Sequence, residues 1–238
     1  MSTTTKRKYP VPSTKYEVPG TKPTAFRDVY MDNAATSYPK PPAVEEAILH
    51  YHRHLGASAG RGAYPRAVAT GRLLEDTRRL LAKLFNVRQP ERLIFTFNAT
   101  DALNLAIKGI PWKAGDSAVA SMMEHNSVLR PLHALRERLG IKIIKVKASP
   151  EGVVDPIDVA KAIERRTRLV ALVHASNVCG TIQPVAEVGD ITRRKGIPFL
   201  VDAAQTAGAL PLDVEAIPIV LSLRSGRLAK PLLGEQLS

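Results

Sequence analysis

The 238-residue chain is 45% hydrophobic and 24% charged, a composition typical of a soluble globular protein with one large domain. It has no apolar run near the roughly 18–20 residues of a membrane span, and its first residues lack the apolar stretch of a secretory signal. A single cysteine excludes an internal disulfide and predicts a reducing, cytoplasmic location. The net charge of +12 is scattered over predicted helix surfaces without interleaved aromatics, which disfavours nucleic-acid binding.

The chain divides by composition into a short N-terminal segment and one long globular part. Residues 1–28 hold six Lys or Arg against two Asp or Glu, are rich in Pro and Thr, and show no hydrophobic periodicity. We therefore predict a disordered basic tail over residues 1–28 and a single large domain over residues 29–238.

Two helices are predicted in the first part of this domain. Pro41 and Pro42 open a helix that runs to about Leu55, because proline is tolerated in the first helical turn. A second helix over Pro65–Phe85 has leucines at helical spacing that would form a buried stripe. A glycine-rich loop at residues 56–62 separates the two helices.

From residue 93 onwards, strand and helix patterns alternate. The predicted strands are Leu93–Phe97, Ala118–Ser121, Ile141–Val146, Leu169–Val173 and Ile197–Val201, and the predicted helices are Thr100–Lys108, Val128–Leu139, Pro156–Arg165 and Pro184–Lys195. This alternation predicts an α/β fold of three layers, in which helices cover both faces of a mostly parallel sheet.

One carboxylate follows the last of these strands. Asp202 ends an apolar run, and the residues after it are too small to cover it. Because an unpaired buried charge is costly, Asp202 needs a cationic partner, and ligands of α/β proteins bind at the carboxyl ends of strands. The protonated ring nitrogen of pyridoxal 5'-phosphate (PLP) is one such partner. An Asp that caps the next helix, or that pairs with a nearby Arg, is equally consistent with the pattern.

Other predicted strand ends also carry polar residues. Ala99 and Thr100 open a helix, and the N–H groups of a helix N-terminus suit a phosphate. His125 follows the second strand and could stack on a planar ligand or move protons, while Asn177 could donate to a ligand oxygen. Each residue alone is explained as well by capping, turn formation or a loop hydrogen bond. Parallel strands would nevertheless bring all of them, together with Asp202, to one edge of the sheet.

Five motifs in a consistent order resemble those of the class V aminotransferase group of PLP enzymes and, within it, the cysteine desulfurases. They are MDNAATS at residues 31–37, NATDALN at 98–104, MEHNS at 123–127, HASNVCG at 174–180 and VDAAQT at 201–206. The resemblance extends from about residue 29 to residue 215. Several motifs in register are more specific than any single one of them.

The resemblance implies the large domain of the PLP-dependent transferase fold (fold type I) and a role for each matched residue. Asp202 would hold the ring nitrogen, Gln205 would contact the ring oxygen, His125 would stack over the ring and move protons, Ala99 and Thr100 would bind the phosphate, and Asn177 would meet the substrate carboxylate or the ring oxygen. Residues 33–35 would line the substrate entrance. The resemblance also implies a homodimer, an amino-acid substrate such as L-cysteine, and a sulfur-acceptor protein.

The C-terminal stretch departs from the family pattern. Lys230 matches the lysine that holds PLP covalently only with a two-residue slip, and Ala229 replaces the histidine that normally precedes it. Covalent attachment tolerates little displacement of this lysine relative to the cofactor. Because the stretch departs from the family pattern, residues 219–238 are interpreted as divergent from the family. The chain ends at Ser238, before the small C-terminal domain that supplies the family's substrate-binding arginine and sulfur-accepting cysteine. We therefore interpret the chain as truncated and incomplete.

Two further groups of residues are interpreted as structural. Cys179 is predicted to be a small buried thiol and not the sulfur acceptor. Among three closely spaced histidines, only His50 and His54 would share a helix face, and no third ligand is near, so we predict no metal site.

Three functions stay open from the sequence. The first is a PLP-dependent cysteine desulfurase, and the second is a non-catalytic protein that keeps the PLP fold. The third is a basic α/β module that binds a nucleotide. We expect the first for the family, and the second for the activity of this particular chain.

Overall fold

The structure, a computed structural model, describes residues 29–216 and the backbone of residues 219–222. Its α-helices are α1 (Pro42–His50), α2 (Pro65–Leu84), α3 (Ala99–Lys108), α4 (Asn126–Leu139), α5 (Pro156–Ala162) and α6 (Val185–Lys195). Its strands are β1 (Ser117–Ser121), β2 (Lys142–Val146), β3 (Thr167–Val173), β4 (Phe199–Asp202) and β5 (Ile219–Ser222). The predicted tail over residues 1–28 and the candidate Lys230 lie outside the described residues.

The five strands form one sheet in the order β2-β1-β3-β4-β5, and every neighbouring pair is parallel. The predicted parallel sheet is therefore confirmed. The strand order reverses between β1 and β3, because the chain passes from β1 to β2 on one side and then returns to β3 on the other. Such a switch point opens a crevice at the carboxyl ends of the strands, which is where ligands of open α/β sheets bind.

Alternate strand residues pack into two cores on opposite faces of the sheet, as the pleat requires. Val119 and Val201 belong to a core shared with α2, α5 and α6. Ala120 and Leu200 belong to a second core shared with α3 and α4. Helices thus cover both faces of the sheet, which confirms the three-layer prediction.

Local sequence signals explain several helix ends. The Asn98 side chain accepts the backbone N–H of Asp101 at 2.9 Å and starts α3, and the Asp155 side chain caps α5 in the same way through the N–H of Ile157. Gly140 and Gly196 end α4 and α6 with φ angles of 68° and 63°, a left-handed conformation that favours glycine.

The predicted strand Leu93–Phe97 is wrong. These residues follow a short 3₁₀ turn at Pro90–Arg92 and have no regular secondary structure. Ile94 is 70% exposed and Phe97 is 98% exposed. A strand needs a hydrogen-bonded neighbour, and none of the described strands pairs with this segment. The apolar pattern alone could not reveal the missing partner.

Two helix boundaries also differ from the prediction. The helix expected to reach Leu55 is α-helical only to His50, and Tyr51–Leu55 continues it as a π-helical segment. The helix expected to reach Arg165 ends at Ala162. Helix ends are set by the chain that follows as well as by the helix sequence, so boundaries are less predictable than the elements themselves.

Candidate cofactor site

Asp202 is a buried acid at the carboxyl end of β4. It is 5% exposed, and its Oδ1 accepts the backbone N–H of Ala204 at 3.0 Å. No lysine or arginine of the described residues forms an ion pair with it. Burial raises the pKa of the Asp202 carboxyl, although the Ala204 N–H and the nearby His125 oppose this effect. Neither alternative explanation is found among the described residues, because Asp202 is followed by a turn and not by a helix, and no arginine pairs with it.

A hydrogen-bonded chain connects His125 with Thr100. His125 caps α4, and its Nδ1 accepts the backbone N–H of Ser127 at 3.1 Å. The Ser127 Oγ lies 2.9 Å from the same Nδ1 and 2.9 Å from the Thr100 Oγ1. Ser127 therefore couples the orientation of the imidazole to the hydroxyl at the start of α3, a role that the sequence reading missed.

The two residues predicted to bind phosphate, Ala99 and Thr100, are the first two residues of α3. A helix N-terminus carries partial positive charge and directs backbone N–H groups outward, which suits an anion. Thr100 is exposed, so its hydroxyl is accessible from solvent. The start of α3 is thus placed beside His125 by the Ser127 contact, although no strand leads into it.

The turn after β4 is tied to two other segments. The Gln205 Nε2 donates to the carbonyl oxygen of Ala34 at 3.1 Å, so residues 33–35 lie against this turn. The Thr206 Oγ1 is 2.9 Å from Nδ1 of His174, which directly follows β3. These contacts hold the turn that carries Gln205 next to the end of β3.

The turn after β3 carries Asn177 and Cys179, and both are exposed. The predicted burial of Cys179 is therefore wrong, because residues 177–180 extend beyond the edge of the sheet. Hydrogen bonds with the Ser176 and Thr181 side chains lower the pKa of the Cys179 thiol to about 7. Asn177 belongs to the same turn, four residues after the carboxyl end of β3.

Glu124 is a second site residue that the sequence reading missed. It is 7% exposed, and its Oε1 accepts the Ser121 hydroxyl at 2.5 Å and the Val173 N–H at 2.9 Å. Its Oε2 is buried and has no hydrogen-bond partner in the described part of the chain. Burial raises the pKa of the Glu124 carboxyl to about 8, and the Asp202 charge adds to this effect while the two hydrogen bonds oppose it. The sequence signal that could have indicated Glu124 is its position directly before His125 and shortly after the predicted strand Ala118–Ser121.

The structure brings three of the four predicted strand ends to one edge. β1, β3 and β4 end there, and Val173 is the ladder partner of Asp202. Thr100 joins them through Ser127 and not through a strand of its own. The prediction for Lys230 is not tested by the described residues.

The described residues line a cavity beside the predicted site and another away from it. A cleft of about 580 Å³ between α3 and α4 is lined by Thr100, His125 and Ser127, with Lys108 and Arg130 beside them. Basic side chains and a helix N-terminus make this cleft suitable for an anionic group. A cavity of about 730 Å³ is lined by α2 and residues 90–95 and holds none of the predicted site residues.

Comparison with known proteins identifies the family of this arrangement. The family described as "Aminotransferase class-V" matches residues 29–227. The chain belongs to this family. A probable cysteine desulfurase of Methanothermobacter thermautotrophicus is 40% identical over 189 residues, which cover 79% of this chain and 46% of the relative.

Solved structures show the same fold. The apo cysteine desulfurase of Thermococcus onnurineus has a TM-score of 0.79 at 33% identity, over 86% of this chain and 50% of that chain. A C-DES variant with glycine covalently linked to the PLP cofactor has a TM-score of 0.73 at 26% identity, over 82% of this chain and 51% of that chain. The chain spans about half the length of these relatives.

This family is PLP-dependent, and the residues present fit that cofactor. Asp202 is a buried acid that lacks a lysine or arginine partner in the described structure, as a site for a protonated ring nitrogen requires. The start of α3 and the Thr100 hydroxyl suit the phosphate, and Gln205 lies on the turn that follows Asp202. His125 is close enough to Asp202 to influence its pKa.

Proposed function

We propose that this chain is the PLP-binding part of a cysteine desulfurase, in which L-cysteine is converted to L-alanine and its sulfur passes to a cysteine thiolate. The observation that carries the proposal is Asp202, a buried acid with no lysine or arginine partner among the described residues, at the carboxyl edge of a parallel sheet. Membership of the class V aminotransferase family and the similarity to named cysteine desulfurases support the choice of reaction.

The residues of this chain would act on the cofactor and the substrate by position and charge. Asp202 would hold the proton on the ring nitrogen, and Gln205 would donate to the ring oxygen. His125 would cover one face of the ring and move a proton, with its orientation set by Ser127. Asn177 would meet the substrate carboxylate or the ring oxygen. PLP, when bound, supplies an electron sink that stabilises negative charge on the substrate.

The reaction balances with an acceptor thiol. The C–S bond of cysteine breaks, and an S–S bond forms between the released sulfur and the acceptor sulfur, which becomes a persulfide. A proton replaces sulfur on the substrate carbon and gives alanine. We propose a sulfur-acceptor protein, or a cysteine outside this chain, as the source of that thiol.

A homodimer in the cytoplasm is part of the same proposal. Large apolar side chains stay exposed in the described residues, among them Phe97 at 98% and Val178 at 88%, and exposed apolar surface marks protein interfaces. The single cysteine of the chain fits a reducing compartment. Across residues 29–216, no helix combines the length and the apolar character that crossing a membrane requires.

The test is titration of the purified 238-residue chain with PLP, followed by borohydride reduction and peptide mass spectrometry. Covalent PLP on Lys230, together with alanine release from L-cysteine, would support the desulfurase. Lys230→Ala should abolish the attachment, whereas Lys195→Ala, on the surface end of α6, should leave it unchanged.

Two other outcomes separate the alternatives. PLP bound without covalent attachment or turnover would support a non-catalytic member of the family. No PLP affinity at micromolar concentration would contradict the proposal. Light scattering of the same sample would test the dimer.

A further inference from the structure

Glu124 joins two strands across the switch point of the sheet. Its Oε1 accepts the hydroxyl of Ser121, the last residue of β1, and the backbone N–H of Val173, the last residue of β3. Val173 is in turn the ladder partner of Asp202 on β4. One carboxyl oxygen therefore ties the end of β1 to the end of β3, and β3 is the strand that pairs with β4 at Asp202.

The surroundings of Glu124 do not favour a second negative charge. Among the described residues its buried Oε2 has no hydrogen-bond partner, and the charge of the buried Asp202 raises the pKa of Glu124 further. The other titratable groups described at this edge are His125, on the loop before α4, His174, directly after β3, and the exposed Cys179 in the turn that follows β3. Burial lowers the pKa of His174, which favours its neutral form. If Glu124 and Asp202 were both ionised, with no arginine or lysine partner among the described residues, their carboxylates would repel each other strongly in this buried, low-dielectric environment.

We propose that Glu124 is a positioning residue that keeps its proton at neutral pH, so that it ties β1 to β3 while Asp202 remains the single negative charge of the site. A neutral acid still accepts both hydrogen bonds at Oε1, and it places its proton at the buried Oε2, where an anion would be most costly. This inference rests on the proposed function only in naming the cationic ring as the partner of Asp202.

The first experiment measures protonation without any cofactor. The pKa of Glu124 is raised from an ordinary 4.5 to about 8 in the folded chain, so the folded state keeps a proton that the unfolded state releases between these values. The contribution of Glu124 to the free energy of unfolding is therefore largest below pH 4.5 and is lost as the pH rises to about 8. The melting temperature of the wild type should therefore fall relative to that of Glu124→Gln as the pH is raised from 5 to 8.

The matched control is Glu137→Gln, an exposed glutamate on α4, whose melting temperature should follow the wild type at every pH. If the curves of wild type and Glu124→Gln run parallel, Glu124 is ionised in the folded chain and the proposal is overturned. This outcome does not depend on whether the chain binds PLP.

The second experiment tests positioning by PLP titration at pH 7. Glu124→Gln keeps a neutral acceptor oxygen and should bind PLP within about threefold of the wild type, whereas Glu124→Ala removes the tie between the strands and should bind about tenfold more weakly. Equal losses in both variants would mean that the negative charge of Glu124 is needed, which would contradict the proposal. If no form of the chain binds PLP, the proposed function fails, while the pH dependence of stability still decides the state of Glu124.

Discussion

Buried acids at the two edges of the sheet differ in whether basic side chains are paired with them. At the amino edge, Asp116 directly precedes β1 and is fully buried. One of its oxygens pairs with Arg166 at 3.1 Å, and the other pairs with Arg168 at 3.4 Å and accepts the Lys113 N–H at 2.8 Å. At the carboxyl edge, Asp202 and Glu124 have no such cations among the described residues.

The pKa directions follow this difference. Burial opposes ionisation of Asp116, but the Lys113 N–H and the two guanidinium groups outweigh it, so the pKa of Asp116 is lowered. The pKa values of Asp202 and Glu124 are raised because burial is not offset. Asp116 thus shows that a buried carboxylate with a structural role can be paired with cations of the protein itself. An acid whose charge is left without a protein cation is available to a cationic ligand.

The largest expected effect concerns the carboxyl edge. Asp202→Asn should weaken PLP binding about 10- to 100-fold, because a charge-assisted hydrogen bond to the ring nitrogen is lost. The melting temperature should stay the same or rise, since an uncompensated buried acid is removed. Absorbance titration and thermal unfolding of the same preparations measure both quantities. Unchanged PLP affinity would remove Asp202 from the site.

The reverse pattern is expected at the amino edge. Asp116→Ala should lower the melting temperature by roughly 5 °C or more, because it breaks a buried network and leaves two guanidinium groups unpaired. PLP affinity should not change, as the residue lies at the opposite end of the strands. A loss of PLP affinity without a loss of stability would contradict the comparison.

A smaller effect is expected from the hydroxyl between His125 and Thr100. Ser127→Ala should weaken PLP binding about three- to tenfold, because the imidazole and the Thr100 side chain lose their shared partner. Thr77→Ala is a suitable control, since the Thr77 hydroxyl bonds only within the exposed face of α2. Equal PLP affinities of the two variants would show that Ser127 does not orient the site.

The smallest effect is expected at the start of α3. Asn98→Ala should lower the free energy of unfolding by about 1 kcal/mol, because the N–H of Asp101 loses its capping acceptor. Asn98→Asp keeps an acceptor oxygen and should restore most of that stability. Urea unfolding followed by circular dichroism gives the comparison. Failure of the aspartate to restore stability would argue against capping as the role of Asn98.

Much of the fold was predictable because its signals are local. Runs of four or five mainly apolar residues predicted β1, β3 and β4, and the observed boundaries differ from the predicted ones by no more than two residues at either end. Leu93–Phe97 has the same kind of pattern, yet it forms no strand in the described structure. The difference between these segments lies in the neighbour that pairs with them, and a pattern of side chains contains no information about that neighbour.

The candidate site was predictable only where a motif marked it. Asp202, His125 and Thr100 were identified because they stand at strand or helix ends within recognisable motifs. Ser127 and Glu124 stand in the same MEHNS motif, but their contacts with Thr100 and Val173 join residues 27 and 49 positions apart. Cys179 was assigned to the interior from its residue type, whereas its turn extends beyond the sheet and exposes it.

The order of helices and strands, their caps and the family motifs can all be read from neighbouring residues along this chain. The ionic state of its buried acids cannot, because it depends on distant residues brought together by folding. The arginines that pair with Asp116 lie 50 and 52 positions later in the sequence, and no arginine pairs with Asp202 in the described structure. Electrostatic energy depends on distance and burial in space, so folding determines which carboxylate is structural and which is left to bind a ligand.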